Sequence, residues 1–201
     1  IIYASSGAVY GIKSEKKVTE NLSLKPISTY NKVKMVTERV ILSYKKFLNI
    51  IILRPATVCG YSPRQRLDLT INILTNHAFH KNKISVFGGK QFRPNLHIKD
   101  YCRAVILLMK SSKSKISNQT FNIGYQNFRV KDLALKVKNV VEKKFNKRIQ
   151  IIYTKSKDVR SYRINSDKIL NILKFKPIYS IENAINELLN VFEKKILKHN
   201  L

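Results

Sequence analysis

The sequence has no tryptophan and only two cysteines, and this shortage already excludes some kinds of protein. Cys59 and Cys102 lie far apart, and neither has a second cysteine or a histidine at the spacing that zinc ligands need. We therefore expect reduced cysteines and predict neither a disulfide framework nor a metal site. His77 and His80 have helical spacing, but no carboxylate or third ligand accompanies them.

Long apolar runs are missing as well. No stretch reaches the roughly 18 residues that a membrane span requires, and the start of the chain lacks the features of a secretory signal. The expectation is a cytoplasmic protein with no membrane partner. Of the 201 residues, 44% are hydrophobic, which is enough to bury the core of a globular protein.

Acidic residues are few beside the basic ones. The sequence has 12 Asp and Glu against 39 Lys and Arg, for a formal net charge of +27. This balance is compatible with a nucleic-acid-binding face or with a lysine-rich solvated surface. Because the lysines are scattered and accompany many Ile and Asn, as an AT-rich coding sequence would produce, we favour the solvated surface and predict no nucleic-acid partner. A nucleotide diphosphate is an anionic ligand that suits either interpretation.

Strand-like and helix-like apolar patterns alternate along the chain, which is typical of an α/β fold. Strand patterns cover residues 1–5, 49–54, 84–87, 95–98, 120–123 and 149–153. Helical patterns cover residues 30–47, 67–80, 99–111, 130–145, 166–173 and 181–198, and residues 110–117 indicate a polar loop. In a doubly wound sheet, ligands gather at the carboxyl ends of parallel strands. We therefore expect Ser5 and Ser6, which end the first strand, to lie beside residues 54–57, which end the second.

Tyr30 and Lys34 form a Tyr-x-x-x-Lys pair at the start of a predicted helix. Residues i and i+4 share one helix face, so the phenol and the ammonium point into the same space. A nearby cation lowers the pKa of a phenol, so Tyr30 can take a proton from a substrate hydroxyl while Ser6 holds the same oxygen. Taken alone, the pair is equally compatible with a solvated lysine beside a tyrosine at a helix edge.

Four segments taken together carry a more specific signal. In chain order they are SSGAVYG, YNKVK, LRPATVCG and FRPNLHIKD. This combination resembles the extended short-chain dehydrogenase/reductase family, the NAD-dependent nucleotide-sugar epimerases and dehydratases, over essentially the whole chain. The resemblance implies the carboxyl-terminal portion of a Rossmann-type doubly wound parallel sheet and a small α/β substrate-binding domain. The first is expected mainly in residues 1–60 and the second in residues 61–201, interleaved with each other.

The resemblance also implies a set of site residues. The catalytic residues would be Ser6, Tyr30 and Lys34. The residues that contact NAD, which is expected rather than NADP, would be Tyr30, Lys34, Pro55, Ala56, Thr57 and Val58. The nucleotide-sugar contacts would be Arg64, Arg66, Asn72, Val86, Phe87, Arg93, Asn127 and Arg160.

For some of these residues we expect a particular role, and for others a role outside the site is an alternative interpretation. Arg93 would bind the diphosphate, because a guanidinium matches paired phosphate oxygens, and residues 86–87 would flank the base. For Arg64 and Arg66 the alternative is an ordinary exposed loop. His97 is expected to be structural, and Asp100 is expected to cap the following helix.

Gly7 and Ala8 reduce the number of reactions that the resemblance allows. They occupy the positions at which relatives that eliminate water carry an acid and a base. Without carboxylates there, a 4,6-dehydratase is not expected, because elimination moves a second proton and a leaving hydroxyl. The resemblance leaves oxidation at sugar C4 by hydride transfer to NAD. Reduction from the other face would make the protein an epimerase, and release of the keto sugar would make it a 4-dehydrogenase. Residues 54–69 resemble members that act on sugars destined for surface polysaccharide.

The glycine-rich strand, turn and helix that hold the NAD pyrophosphate in this family have no counterpart in the sequence. We therefore expect a fragment, a truncated gene product or one half of a split enzyme, with an unpaired apolar edge on the first strand. The alternative to an enzyme is a non-catalytic remnant that keeps nucleotide-sugar contacts. Relatives dimerise through the Tyr-x-x-x-Lys helix, so a homodimer through Tyr30 to Phe47 is expected.

Overall fold

The structure is a computed structural model that describes residues 1–156 and 160–197. These residues form an α/β fold with eight β-strands and seven α-helices. The strands are β1 (Ile2–Ala4), β2 (Ile51–Pro55), β3 (Thr57–Cys59), β4 (Lys83–Phe87), β5 (Phe92–His97), β6 (Gln119–Ile123), β7 (Gln126–Arg129) and β8 (Gln150–Thr154). The helices are α1 (Thr29–Ser43), α2 (Thr70–Lys81), α3 (Ile98–Lys110), α4 (Lys113–Ile116), α5 (Val130–Phe145), α6 (Asp167–Leu173) and α7 (Ile181–Glu193), and a 3-10 helix covers Gly7–Tyr10.

The first sheet is parallel, with the strand order β1-β2-β6. Its central strand β2 has four buried residues in a row, as its run of Ile and Leu predicts for a strand covered on both faces. Ala4 pairs with Leu53, and the Ser5 N–H donates to the Leu53 carbonyl at 2.7 Å. This pairing confirms that the ends of the first two strands lie side by side.

The other two sheets are small. In one, β5 pairs with β3 in parallel and with β7 in the antiparallel sense, and in the other β4 pairs with β8 in parallel. The sequence pattern missed β3 and β7 because runs of three and four residues are too short to show a period. The loop predicted at 110–117 contains the four-residue helix α4 for the same reason.

Two helix ends also differ from the pattern. The first helix ends at Ser43, before the predicted Phe47, and a turn follows it. The last helix ends at Glu193, and its predicted end, Lys198, lies outside the described residues. No helix within residues 1–156 and 160–197 is long and apolar enough to cross a bilayer.

The buried apolar side chains form two clusters. One packs α2, α5 and α7 against β4, and its members come from residues 59–192. The other surrounds the β1-β2-β6 sheet, and its members come from residues 9–175. Since the two ranges overlap along the chain, the division near residue 60 stays a prediction.

A buried polar network fastens α1 to the first sheet. Arg54 forms two bonds with Glu38 of α1, Nη2–Oε2 at 2.6 Å and Nε–Oε1 at 3.0 Å. Its Nη1 donates at 2.8 Å to the Tyr10 hydroxyl, which donates at 2.8 Å to Asn122 Oδ1. The network therefore holds the helix that carries Tyr30 in a defined position beside the strand ends.

Candidate active site

A cleft with a volume of about 560 Å³ opens where β1 and β2 end. Residues 5–6, Tyr30 and residues 55–58 line it on one side. Arg66, Asp68, Leu69, Thr70, Arg93, Arg160 and Tyr162 line it on the other. We call this part the serine end of the cleft.

The cleft continues into a second part of about 540 Å³, which shares Asp68, Thr70, Arg93 and Arg160 with the first. We call it the α2 end, because one face of α2 lines it with Thr70, Ile73, Leu74 and His77. From the other elements it is lined by Ser85, Phe87, Gln91, Val130, Lys155 and Ser156. The two parts make one elongated cleft with two arginines at their junction.

Ser6 lies at the serine end as the N-cap of the 3-10 helix. Its Oγ accepts a hydrogen bond from the Ala8 N–H at 3.2 Å, so its own O–H is left to donate. The next residue is Gly7, where an added Cβ would lie 2.2 Å from Ile164 Cδ1 and 3.1 Å from the Pro55 carbonyl oxygen. The close approach explains why a residue without a side chain follows Ser6.

Tyr30 and Lys34 lie together beside the same strand end. The Ser28 side chain caps α1 by accepting from the Asn31 N–H at 3.3 Å, and Tyr30 follows within the first turn, with its side chain exposed in the cleft. The Lys34 Nζ donates to the Ala4 carbonyl at 2.7 Å and lies 5.7 Å from the centroid of the Tyr30 ring. It also lies 4.9 Å from the ring centroid of Tyr3.

Residues 55–58 cross from the first sheet to the second along the wall of the serine end. The Ala56 N–H donates to the Ile123 carbonyl at 2.7 Å, which fixes the crossing point. Each of Pro55, Ala56, Thr57 and Val58 lines the cleft. The structure thus brings the predicted catalytic and cofactor residues to one place.

Arg93 and Arg160 lie at the junction of the two ends. Arg93 is buried in β5, and its Nη1 donates to the Phe92 carbonyl at 3.0 Å and to the Arg160 carbonyl. Arg66 lies nearby and is exposed, with its Nη2 2.7 Å and its Nε 3.1 Å from the two carboxylate oxygens of Asp68. The hydrogen bonds from Arg66 hold the pKa of Asp68 below its usual range. The sequence reasoning did not single out Asp68, and its only signal is a charge pair two residues apart.

Arg64 and Asn72 lie away from this cleft, in a smaller adjoining cavity of about 240 Å³. Asn72 is buried, with Oδ1 accepting from the Gly60 N–H at 3.1 Å and Nδ2 donating to the Arg66 carbonyl at 2.8 Å. Both halves of the Asn72 amide are therefore engaged by the backbone of the loop above it. In this structure the Asn72 side chain thus holds the loop, and its contact with a substrate stays a prediction.

The Val86 side chain is fully buried in the apolar cluster, and its place beside the base stays a prediction. Side chains alternate along a strand, so its neighbours Ser85 and Phe87 face the α2 end together. Asn127 also does not line either end within the described residues, and its Nδ2 donates to the Ile164 carbonyl at 3.0 Å.

His97 is buried and structural, as expected. Its Nδ1 accepts from the Lys99 N–H at 3.1 Å, so Nε2 carries the proton and faces Glu187 Oε2 at 3.2 Å. Burial lowers the pKa of His97. The expectation that Asp100 caps α3 is wrong, because the His97 side chain is the cap and Asp100 accepts from the N–H groups of residues 178–179.

The first sheet has parallel strands joined by helical crossovers, which places the chain in the Rossmann-type class of α/β proteins. A hydroxyl, a phenol and an ammonium lie at the carboxyl ends of these strands, where this class binds its ligands. The comparison with known families agrees with this class. The chain belongs to the NAD dependent epimerase/dehydratase family, whose model matches residues 1–124.

Two relatives with similar sequences are epimerases of a nucleotide sugar, as the family match leads one to expect. A UDP-glucose epimerase of Bacillus subtilis (strain 168), itself uncharacterized, is 35% identical over 126 residues, which cover 61% of this chain and 38% of the relative. The UDP-glucose 4-epimerase of Lactobacillus helveticus is 28% identical and covers 88% of this chain and 58% of its own length.

A solved structure shows the same fold. The UDP-glucuronic acid 4-epimerase from Bacillus cereus, in complex with UDP-glucuronic acid and NAD, superimposes with a TM-score of 0.83 at 26% identity. The match covers 96% of this chain and 61% of that structure. The chain thus spans 38% to 61% of the length of these three relatives.

Proposed function

We propose that this chain carries the catalytic and nucleotide-sugar-binding residues of an NAD-dependent enzyme that oxidises a hexose at C4. The observation that carries the proposal is the meeting of Ser6 and Tyr30 at the serine end, with Lys34 beside them and Arg93 at the junction of the cleft. The relatives from Lactobacillus helveticus and Bacillus cereus are epimerases of nucleotide sugars, which supports the same function.

In this proposal Tyr30 takes the proton from the C4 hydroxyl of the sugar, and Ser6 donates its O–H to the same oxygen. The Ser6 hydroxyl suits this role because the Ala8 N–H already occupies its acceptor side. The Lys34 ammonium, 5.7 Å from the Tyr30 ring centroid, stabilises the negative charge that develops on the phenol oxygen.

The residues present fit the nicotinamide end of NAD. Residues 55–58 form a continuous wall beside Ser5 and Tyr30, with the Lys34 ammonium 5.7 Å from the centroid of the Tyr30 ring. Bound NAD supplies the hydride acceptor for C4. Among residues 1–156 and 160–197 there is no glycine-rich strand, turn and helix for its pyrophosphate, so we assign that contact to none of them.

An epimerase or a 4-dehydrogenase is favoured over a 4,6-dehydratase. Position 7 is a glycine, which has no side chain to exchange a proton. The neighbouring position is Ala8, which cannot exchange protons. The site therefore has a group for the C4 hydroxyl and none at these positions for eliminating water.

At the substrate side, Arg93 and Arg160 are proposed to bind the diphosphate, and Phe87 to pack against the base. The second candidate function is a module that binds nucleotide sugars without turning them over. It is favoured by the fact that the described residues supply the substrate side of the cleft and no pyrophosphate loop for NAD.

We also propose that α1 pairs with a second copy of the chain. Three valines of α1 are more than half exposed, namely Val33, Val36 and Val40, and so is Phe47 in the turn after the helix. Their spacing places the first three on one helix face. A cytoplasmic location and the lack of a nucleic-acid partner stay predictions.

The binding half of the proposal is tested by calorimetric titration of the chain with UDP-glucose, dTDP-glucose and GDP-mannose. We expect one of them to bind, and we expect Arg93→Ala to weaken it at least about tenfold, because charged hydrogen bonds to phosphate are lost. Arg148→Ala, at an exposed arginine outside the cleft, is the control. Failure of all three ligands to bind, or equal binding by the Arg93 and Arg148 variants, contradicts the proposal.

A further inference from the structure

The hydroxyl of Ser5 is buried at the serine end and has no hydrogen-bond partner in the part of the chain that the structure describes. The residue is 4% exposed, and its Oγ has no partner within residues 1–156 and 160–197. Its backbone is held in place, since its N–H donates to the Leu53 carbonyl at 2.7 Å. A buried hydroxyl without a partner destabilises a folded chain, so its presence needs a reason.

Other buried hydroxyls of this chain do have partners. The Tyr10 hydroxyl donates to Asn122 Oδ1 at 2.8 Å, and Thr75 Oγ1 donates to the Ile71 carbonyl at 2.7 Å. Ser6, which adjoins Ser5, accepts from the Ala8 N–H at 3.2 Å. Unlike Tyr10 and Thr75, Ser5 lines the cleft, where a bound molecule can supply the missing partner.

We propose that Ser5 is a second sugar-binding hydroxyl, which bonds a hexose oxygen other than the one that Ser6 and Tyr30 hold. The inference rests on the proposed function and adds a specificity residue to it. Ser5 and Ser6 both line the serine end, so one bound sugar can contact both hydroxyls through different oxygens. The competing acceptor is the carboxamide of nicotinamide, because Pro55 lines the same part of the cleft.

A ligand-binding role has a signature that a structural role lacks. Removing an unpartnered hydroxyl leaves no broken bond in the free chain, so Ser5→Ala keeps or raises its thermal stability. The same change removes a bond to the sugar, so it weakens binding. A structural hydroxyl shows the opposite pattern, and Thr75→Val provides it as a matched control, since Thr75 is buried, bonded and outside the cleft.

The experiment measures three affinities and one unfolding midpoint for the wild-type chain and the two variants. Calorimetry with UDP-glucose, UDP and NAD gives the affinities. If dTDP-glucose or GDP-mannose binds the wild-type chain more tightly than UDP-glucose does, that sugar nucleotide and its free nucleotide, dTDP or GDP, are used instead of UDP-glucose and UDP. For Ser5→Ala we expect sugar-nucleotide affinity to fall about tenfold. We expect the affinities for the free nucleotide and for NAD, and the unfolding midpoint, to stay within error.

Four outcomes overturn the proposal. They are an unchanged affinity for the sugar nucleotide, an equal loss for the free nucleotide, a loss for NAD alone, and a midpoint that falls as far as that of Thr75→Val. If none of the sugar nucleotides binds the wild-type chain, the proposed function fails and the role of Ser5 fails with it. If they bind and only the Ser5 result is negative, the proposed function stands without this residue.

Discussion

Replacing Glu38 by alanine should destabilise the chain more than any exposed substitution. Arg54 is 6% exposed and Glu38 2% exposed, and two hydrogen bonds of 2.6 and 3.0 Å join their side chains. Burial lowers the pKa of Arg54, but its interactions with Glu38 and Tyr10 together outweigh burial and hold the pKa above its ordinary value. The Glu38→Ala variant therefore keeps a buried cation without its partner.

The size of the effect follows from this geometry. Breaking a buried ion pair on one side costs about 3–5 kcal/mol, because the remaining charge is left uncompensated. For a chain of this length each kcal/mol lowers the unfolding midpoint by about 2–4 °C, so a fall of about 6–20 °C is expected. Thermal unfolding followed by circular dichroism measures it directly.

The double variant Glu38→Leu with Arg54→Met makes the test specific. Apolar residues of similar volume remove both charges together, so much of the lost stability should return. Asp167→Ala is a control, since that carboxylate forms an exposed ion pair at 3.3 Å with Lys17. A fall of less than about 2 °C for Glu38→Ala, or a double variant less stable than both single ones, would refute the reasoning.

Three further predictions concern the site and the surface. Fused to the NAD-binding half of the Bacillus cereus epimerase, the chain should turn over a nucleotide sugar. Tyr30→Phe should abolish this turnover, and the control Tyr44→Phe should leave it intact. Turnover by the Tyr30→Phe variant would exclude Tyr30 as the base. Burial raises the pKa of the Cys59 thiol to about 12, so at pH 8 a thiol reagent should label Cys102 alone in the native chain, as mass spectrometry can check. Phe47→Ser should shift the chain towards the monomer in analytical ultracentrifugation, and an unchanged mass would argue against the proposed dimer face.

The pattern of strands and helices was largely readable from the sequence. Each of the six predicted strands and six predicted helices corresponds to an element of the structure, because long apolar periods report which face of a segment is buried. Short elements escaped, as β3 and β7 show. The ends of helices were also imprecise, since the apolar stripe of α1 continues into the turn after Ser43.

The candidate site was readable where its residues belong to short motifs. Ser6 follows the end of β1 and Tyr30 lies in the first turn of α1, and both positions follow from local order along the chain. For other residues that the resemblance implied, the sequence did not show where the side chain lies. Asn72 turned out to hold a loop, and Val86 faces the core while Phe87 faces the cleft.

The sequence by itself determined the α/β class, the order of the elements and the motif residues that gather at the strand ends. These properties depend on neighbours within a few residues or on the period of one segment. Only the tertiary structure decided which face of β4 lines the cleft, that Arg54 is paired with Glu38, and that the Ser5 hydroxyl has no partner among the described residues. Those facts depend on contacts between distant segments, which a local pattern does not encode.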